Sequence, residues 1–159
     1  MQSAKLYFAF WEEIKMAEDI DTSTLLRKLS KTSDFGSFMK NNADSLQDTS
    51  FSDHLSKLCA DRGLVPEHII KAAQIDRTYG HQIFNGTRKP SRDKVIQLAF
   101  GLGMTIDEAQ HLLLIAEKSP LYPKIKRDAA IIFCLSKKLN VFEVQNLLDS
   151  LDLSLLGDN

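Results

Sequence analysis

The chain has 159 residues, of which 43% are hydrophobic and 26% charged, and its formal net charge is −1. These values are typical of one ordinary globular domain with a small addition, and they argue against a polybasic binder. No apolar run approaches the roughly 20 residues of a membrane span, and the early run 6–11 is too short for the core of a signal peptide. We therefore expect no membrane partner, and a chain of this size with only two cysteines favours a cytoplasmic protein.

Residues 1–50 predict an N-terminal helical arm that is partly loose. Three apolar residues share one helical face: Leu6, Phe10 and Ile14. Residues 24–29 favour a further short helix, whereas 30–50 are rich in Ser, Thr, Asn and Asp, which favours loop or loose helix. The aromatic residues near the start are interpreted as buried against the domain, with a self-association surface as the alternative.

Residues 51–118 have the apolar spacing of five successive helices. Their predicted starts are Ser50 or Ser52, Pro66, Asp76, Ser91 and Thr105. Ser, Asp and Thr side chains accept hydrogen bonds from free backbone N–H groups, proline suits a first turn, and Glu108 completes a capping box with Thr105. Glycines are expected to end three of the helices: Gly63, Gly86 and Gly103.

The third of these helices, residues 76–85, carries candidate base-reading side chains. Positions i, i+1, i+4 and i+5 share a helix face, and a polar face can bond base edges in the major groove. The candidate base contacts are Arg77, Thr78, His81 and Gln82. Arg77 suits guanine and Gln82 suits adenine, whereas Thr78 suits a phosphate or a thymine methyl. The alternative interpretation is a polar face that only meets solvent.

A basic segment adjoins this helix. Residues 77–94 hold five Lys or Arg and one acid, a net charge of +4, on an otherwise near-neutral chain. A local positive patch is typical of a module that neutralises a few phosphates, although a solvated basic loop has the same composition. The candidate phosphate contacts in and beside this segment are Asn85, Arg88, Lys89 and Arg92.

The C-terminal part matches the preceding hairpin at a constant offset of 35 residues. Residues 127–148 align with 92–113, and Asn140 with Glu143 reproduces the predicted capping box. The identical pairs are Arg92/Arg127, Asp93/Asp128, Ile96/Ile131, Glu108/Glu143, Gln110/Gln145, Leu112/Leu147 and Leu113/Leu148. The match predicts a helical hairpin at 119–159 packed on the preceding helices. Duplication and the shared demands of helical hairpins both remain open as its origin.

Residues 51–116 resemble the lambda-repressor-like, Cro-type helix-turn-helix proteins of the XRE family. The matching residues are Asp76-Arg77-Thr78, Ile83, Asn85-Gly86, Arg88-Lys89-Pro90-Ser91, Leu98-Ala99 and Leu102-Gly103. The resemblance implies a five-helix DNA-binding domain with three residues at base-contact positions: Arg77, Thr78 and Gln82. It also implies DNA-backbone contacts at 66–68 and 85–88, which adds His68 to the candidate phosphate contacts.

Three residues depart from the family pattern. The family favours alanine where Ile70 stands, glycine where Gln74 stands, and isoleucine or valine where Gly80 stands. Ile70 and Gly80 face each other across two helices, so a larger and a smaller side chain are expected to compensate in volume. Gln74 is expected in a left-handed turn conformation that carries strain without glycine. Val65 gives the second helix no polar cap.

Together these observations predict an all-α protein: an N-terminal arm at 1–50, a lambda-repressor-like helix-turn-helix domain at 51–118 and a C-terminal hairpin at 119–159. The predicted function is a sequence-specific transcriptional regulator that binds double-stranded DNA as a homodimer. The dimer surface is expected at the N-terminal aromatics or at the C-terminal leucines, Leu147, Leu148, Leu151, Leu155 and Leu156. The alternative is a protein–protein interaction module, antitoxin-like or adaptor, whose partner binds the arm or the hairpin.

The sequence offers no pattern for catalysis, a cofactor or a metal. The four histidines lack metal-ligand spacing, and neither cysteine has a CxxC partner. Glycine-rich phosphate loops and nucleophile elbows are also absent from the sequence. We interpret Cys59 and Cys134 as reduced packing residues, and we expect no enzyme activity.

Overall fold

The computed structural model describes residues 22–43, 46 and 50–157. All regular secondary structure in these residues is α-helical, which confirms the predicted all-α class for this part of the chain. No helix among them is long and apolar enough to cross a membrane. The chain divides into two compact units between residues 48 and 49.

The first unit contains α1, which the structure describes over residues 22–31, and α2 at Phe35–Asn41. The Asp34 carboxylate starts α2 by accepting hydrogen bonds from the Gly36 N–H and the Ser37 hydroxyl. This helix lies in the stretch where we expected loop or loose helix, and one short-range cap starts it despite the polar composition. The predicted helical face of Leu6, Phe10 and Ile14 lies outside the described residues.

The second unit contains seven helices within its described residues. They are α3 at Phe51–Asp61, α4 at Pro66–Ala72, α5 at Arg77–Asn85, α6 at Arg92–Gly101, α7 at Ile106–Ile115, α8 at Lys126–Ser136 and α9 at Val141–Ser150. The predicted capping side chains Ser50, Asp76 and Ser91 each accept the expected backbone N–H. Both predicted capping boxes, at the starts of α7 and α9, are present.

The turn after α4 contains the predicted left-handed residue. Gln74 has a φ of 53°, and the Ile75 N–H donates to the Ile70 carbonyl across the turn. A left-handed backbone conformation costs free energy in any residue other than glycine, so neighbouring groups must stabilise the conformation of Gln74. The buried Gln97 side chain of α6 does so, because its Nε2 donates to the carbonyls of Ala73 and Gln74. The turn is therefore fixed to the central helix of the unit.

The helix α6 forms the centre of the second unit and packs closely on α4. A Cβ atom placed on Gly101 would lie 2.9 Å from both the Ala73 nitrogen and the Ile69 carbonyl oxygen. Backbone atoms cannot yield as a flexible side chain can, so only glycine permits this approach of α4 to α6. The α4–turn–α5 segment is thereby held at one distance from the core.

The 35-residue offset of the sequence is repeated in the ion pairs of the structure. The Arg92 Nη2 lies 2.9 Å from Asp128 Oδ2, and the Arg127 Nη2 lies 3.0 Å from Asp93 Oδ2. Both carboxylates are buried, and less than a quarter of each arginine side chain is exposed. The contacts are reciprocal, since each repeat gives its arginine to the aspartate of the other, as in an isologous two-fold interface.

The repeat also continues into backbone contacts outside the aligned sequence. Each arginine donates to two carbonyls that the offset of 35 relates: Arg92 to Ser119 and Pro120, Arg127 to Ser154 and Leu155. Each equivalent glutamine exchanges two hydrogen bonds with a linker residue: Gln110 with Leu121, Gln145 with Leu156. Asp128 also accepts the Tyr122 N–H as Asp93 accepts the Gly157 N–H, so the first repeat covers 92–122 and the second 127–157. Agreement at this level favours duplication over shared hairpin chemistry.

The C-terminal leucines belong to the core of the second repeat. Leu148 and Leu156 are buried, and Leu147 and Leu155 pack against the same core. Their expected role as a dimer surface is wrong for this reason, because a surface that already fills the interior cannot also face a partner. Leu151 alone of the five is exposed.

Candidate nucleic-acid interface

The position of α5 on the unit is set by its contact with α4. Four residues, 73–76, join the two helices. An ideal Cβ on Gly80 would lie 2.5 to 2.9 Å from three side-chain carbons of Ile70, and both residues are buried. The structure thus supports the expected exchange of volume between these two positions. Gly80 lets α5 approach α4 closely while Ile70 fills the space between them.

The outer face of α5 presents the four predicted base-contact residues. The Arg77 side chain is 78% exposed, and Thr78 is exposed beside it. One turn further, His81 and Gln82 are partly exposed. Asp76 caps this end of the helix by accepting the Tyr79 N–H at 3.1 Å. The structure therefore brings the four residues together on one accessible face at the start of α5.

An acidic side chain from α4 lies on the same face. The Glu67 carboxylate accepts a 2.7 Å hydrogen bond from Arg77 Nε, and its second oxygen lies 2.6 Å from His81 Nε2. The Arg77 hydrogen bond, followed by that of His81, lowers the pKa of Glu67 below its ordinary value, so the carboxylate stays charged. Two predicted base-reading groups are thus held by one anion.

A cationic cluster surrounds Tyr79 on the flank of α5. The Arg88 guanidinium carbon lies 4.5 Å from the centre of the Tyr79 ring, and the Lys94 Nζ lies 5.5 Å from it. Both distances are within the range of cation–π attraction. The ring therefore holds one cation from the loop after α5 and one from α6 beside the same helix.

The end of α5 turns through Asn85 and Gly86. The Asn85 Oδ1 accepts hydrogen bonds from both the Thr87 N–H and the Thr87 hydroxyl, which leaves the side-chain amide N–H groups as its outward donors. Gly86 adopts a φ of 83° and ends the helix as predicted. Asn85 is exposed, so its amide is oriented and accessible for an anion.

The remaining candidate phosphate contacts separate into two groups. His68, Arg88 and Lys89 are exposed. Arg92 is different, because its guanidinium donates to Asp128 and to two backbone carbonyls within the chain. Its side chain is only 24% exposed. The expectation that Arg92 grips a phosphate therefore loses its physical basis, and we assign the residue to the contact between the two repeats.

Two features of this surface escaped the sequence interpretation. Glu67 lies ten positions before Arg77, and a separation of that length gives no local signal of contact across a helix–turn–helix. The pairing of Arg92 with Asp128 could have been inferred from the sequence. Arg92-Asp93 recurs unchanged as Arg127-Asp128, whereas most other positions of the repeat exchange one apolar residue for another. Identical charges in such a repeat indicate a structural requirement.

Comparison of the chain with family models, with curated proteins and with solved structures gave no match. The functional argument therefore depends on the geometry of α4, α5 and the residues that surround them.

Proposed function

We propose that the chain is a sequence-specific transcriptional regulator that binds double-stranded DNA through α5. In this proposal α4 and α5 form a helix-turn-helix of the lambda-repressor-like kind, with α5 in the major groove. The observation that carries it is the exposure of Arg77, Thr78, His81 and Gln82 on one face of α5 beside exposed cations. A recognition helix requires this combination of accessible polar groups and a positive flank.

Each side chain has a stated role in the proposed complex. Arg77 forks onto guanine O6 and N7, and Gln82 bonds adenine N6 and N7, the pairings that base edges in the major groove favour. Asn85, Arg88 and Lys89 bond phosphates, which fixes the register of α5 without reading sequence. The stacking of Arg88 on Tyr79 supports this, because it holds the loop cation close to the helix.

The Glu67 carboxylate must release Arg77 and His81 before these two side chains can contact bases. It is exposed, and an exposed ion pair contributes little to stability because water and salt screen it. A bidentate contact of arginine with guanine is stronger, so we expect Arg77 to exchange partners on binding. Near phosphates the released carboxylate is repelled, and Glu67 therefore acts against binding.

The same carboxylate favours a second candidate function, a protein–protein interaction module. A Glu67 carboxylate paired with Arg77 makes the face of α5 nearly uncharged at its leading end. Such a face suits a partner protein more than a phosphate backbone. The two candidates differ in their binding of random duplex DNA. A regulator binds it with an affinity that falls steeply as the salt concentration rises, whereas an interaction module does not bind it even at low salt.

A homodimer is part of the proposal for reasons of affinity. One patch with a handful of phosphate contacts binds weakly at physiological salt. Two copies that bind half-sites about 34 to 36 Å apart, one helical turn of DNA, add their contacts and set the symmetry of the operator.

Three substitutions test the assigned face by fluorescence anisotropy with labelled duplexes. Lys89→Ala is expected to weaken binding to all DNA sequences alike and to reduce the slope of log affinity against log salt concentration by about 1. Arg77→Ala is expected to relax base preference, since it removes a base contact. Glu67→Gln is expected to strengthen binding, because it removes a negative charge near the phosphates.

The matched control is Lys124→Ala, which removes one exposed positive charge from the linker between the two repeats. If Lys89→Ala and Lys124→Ala change the affinity equally, the assigned face is wrong. If the unaltered chain shows no binding to duplex DNA even at low salt, the interaction module is the better proposal.

A further inference from the structure

One face of α6, with the residue Pro90 before it, carries a stripe that includes the contacts to α4 and its turn. The stripe has helical spacing and consists of Pro90, Lys94, Gln97, Leu98 and Gly101, of which Lys94 and Gly101 are partly buried. Gln97 donates to the α4 turn, Gly101 meets the α4 backbone, and Leu98 is 0% exposed. This face is therefore the docking surface on which α4 sits.

The equivalent stripe of α8 is more open among the described residues of the unit, although Ile132 packs partly against the core. Adding the offset of 35 gives Ile125, Ala129, Ile132, Phe133 and Ser136. Ile125 is 51% exposed and Phe133 is 50% exposed, whereas their equivalents Pro90 and Leu98 are buried. The stripe is also more apolar than its counterpart. The described residues of the second unit therefore provide a complete helix-docking face without the helix.

The exposed charges of α8 and of the residues directly flanking it in the chain have one sign. Within 122–138 the exposed charged residues are Lys124, Lys126, Lys137 and Lys138. The acid of this stretch, Asp128, is 3% exposed and paired with Arg92. The Lys137 Nζ lies 5.8 Å from the centre of the Phe133 ring, so positive charge borders the apolar centre of the stripe.

We propose that this face of α8 docks an acidic amphipathic helix of a partner protein, seated as α4 is seated on α6. The apolar side of the helix covers Phe133 and Ile132, and its flanking carboxylates meet Lys126 and Lys137. A second copy of the chain fits less well, because a two-fold contact through α8 brings lysines against lysines. The inference holds whether or not α5 binds DNA.

The size of the face sets the strength of this contact. Stable complexes bury about 1,200 to 2,000 Å² in total, and one short helix on one helix face lies at or below the lower end of that range. We therefore expect a micromolar, exchangeable partner with Phe133 as the central anchor. Aromatic anchors of this kind carry most of the free energy of helix-in-groove binding.

The test uses the full chain and a labelled synthetic helix of about 15 residues, long enough to form four turns. Its apolar stripe is leucine and its flanks are glutamate; one matched peptide has lysine flanks and another has the same composition in scrambled order. The acidic peptide is expected to bind with a dissociation constant of roughly 10 to 100 μM by fluorescence anisotropy.

Two variants of the chain connect this binding to the stripe. Phe133→Ser is expected to weaken binding of the acidic peptide at least about tenfold, as loss of a central anchor does. The charge reversal Lys126→Glu with Lys137→Glu is expected to transfer the preference to the lysine-flanked peptide. The matched control is Phe142→Ser on α9, because Phe142 is also exposed, at 61% against 50% for Phe133, but lies outside the stripe.

Several outcomes overturn the proposal. Equal binding of the acidic and scrambled peptides, or equal loss in Phe133→Ser and Phe142→Ser, shows that no helix site exists here. Absence of binding by the acidic peptide also shows that the face of α8 does not bind a helix. Sedimentation that reveals self-association lost in Phe133→Ser identifies a second copy of the chain as the occupant instead.

Discussion

Arg127→Met is expected to destabilise the chain by about 3 kcal/mol at neutral pH, because it leaves a buried carboxylate without its cation. Asp93, whose side chain is 5% exposed, accepts two hydrogen bonds from Arg127 and one from the Gly157 N–H. Methionine fills the space of the arginine stem but provides no charge. Urea unfolding of the variant and the unaltered chain measures the loss.

The pH dependence of this loss follows from the pKa of Asp93. Burial raises that pKa, but the hydrogen bonds from Arg127 and Gly157 more than offset it and leave the pKa below its ordinary value. The unfolded chain therefore binds the proton more readily, so Asp93 adds stability above the ordinary carboxyl pKa of about 3.9 that is lost as pH falls. Without Arg127 the pKa of Asp93 rises, so the deficit of the variant should shrink as the pH approaches that range.

Two matched variants separate burial from the chemistry of the substitution. Arg92→Met removes the equivalent cation of the other repeat and should cost a similar amount, since Asp128 is buried to the same extent. Arg77→Met removes an arginine from an exposed pair, and the loss should be within experimental error of zero. Equal losses in all three variants, or no loss in Arg127→Met, would contradict the structural role of the reciprocal pairs.

Gly80→Val is expected to destabilise the chain by about 1 to 3 kcal/mol, although valine has the better intrinsic helix propensity by a few tenths. The reason is steric, because the added Cβ meets three carbons of the Ile70 side chain. Ile70→Ala alone leaves a cavity and should cost about 2 to 5 kcal/mol. The double variant should be more stable than the sum of the two losses predicts, since alanine provides the space that valine fills.

The coupling is measured as a double-mutant cycle in urea unfolding. Thr78→Val is the matched control, because it places a valine on the exposed face of the same helix and should change stability little. A Gly80→Val, Ile70→Ala double variant whose losses simply add would show that the two residues do not share one space. That result would remove the account given for the departure from the family pattern.

Local signals in the sequence were sufficient for the helices and their ends. The caps at Asp76 and Thr105 and the left-handed residues Gln74 and Gly86 were predictable, because a cap or turn is decided within a few residues. The exchange between Ile70 and Gly80 was predictable for another reason: the resemblance supplied the facing positions. No such guide existed for α2, whose start depends on one aspartate in a polar stretch.

Contacts between residues far apart in the chain determine the roles of Arg92 and Glu67, and the sequence alone did not reveal these contacts. Arg92 was a plausible phosphate ligand by charge and position, and only the fold brings it to Asp128, 36 residues away. The same holds for Glu67, which reaches Arg77 and His81 because α4 and α5 cross closely at Gly80. The sequence therefore predicted most residues of the candidate face. It did not predict that Glu67 lies on this face or that Arg92 pairs with Asp128 instead of lying there.

The most direct measurement of the proposed function is selection of bound duplexes from a random pool by the purified chain, read by sequencing. We expect enrichment of one motif with two related halves one helical turn apart, and loss of the preferred bases in Arg77→Ala. A pool that stays random after repeated selection at low salt, or a motif unchanged in Arg77→Ala, would contradict the assignment of α5 as the reading helix.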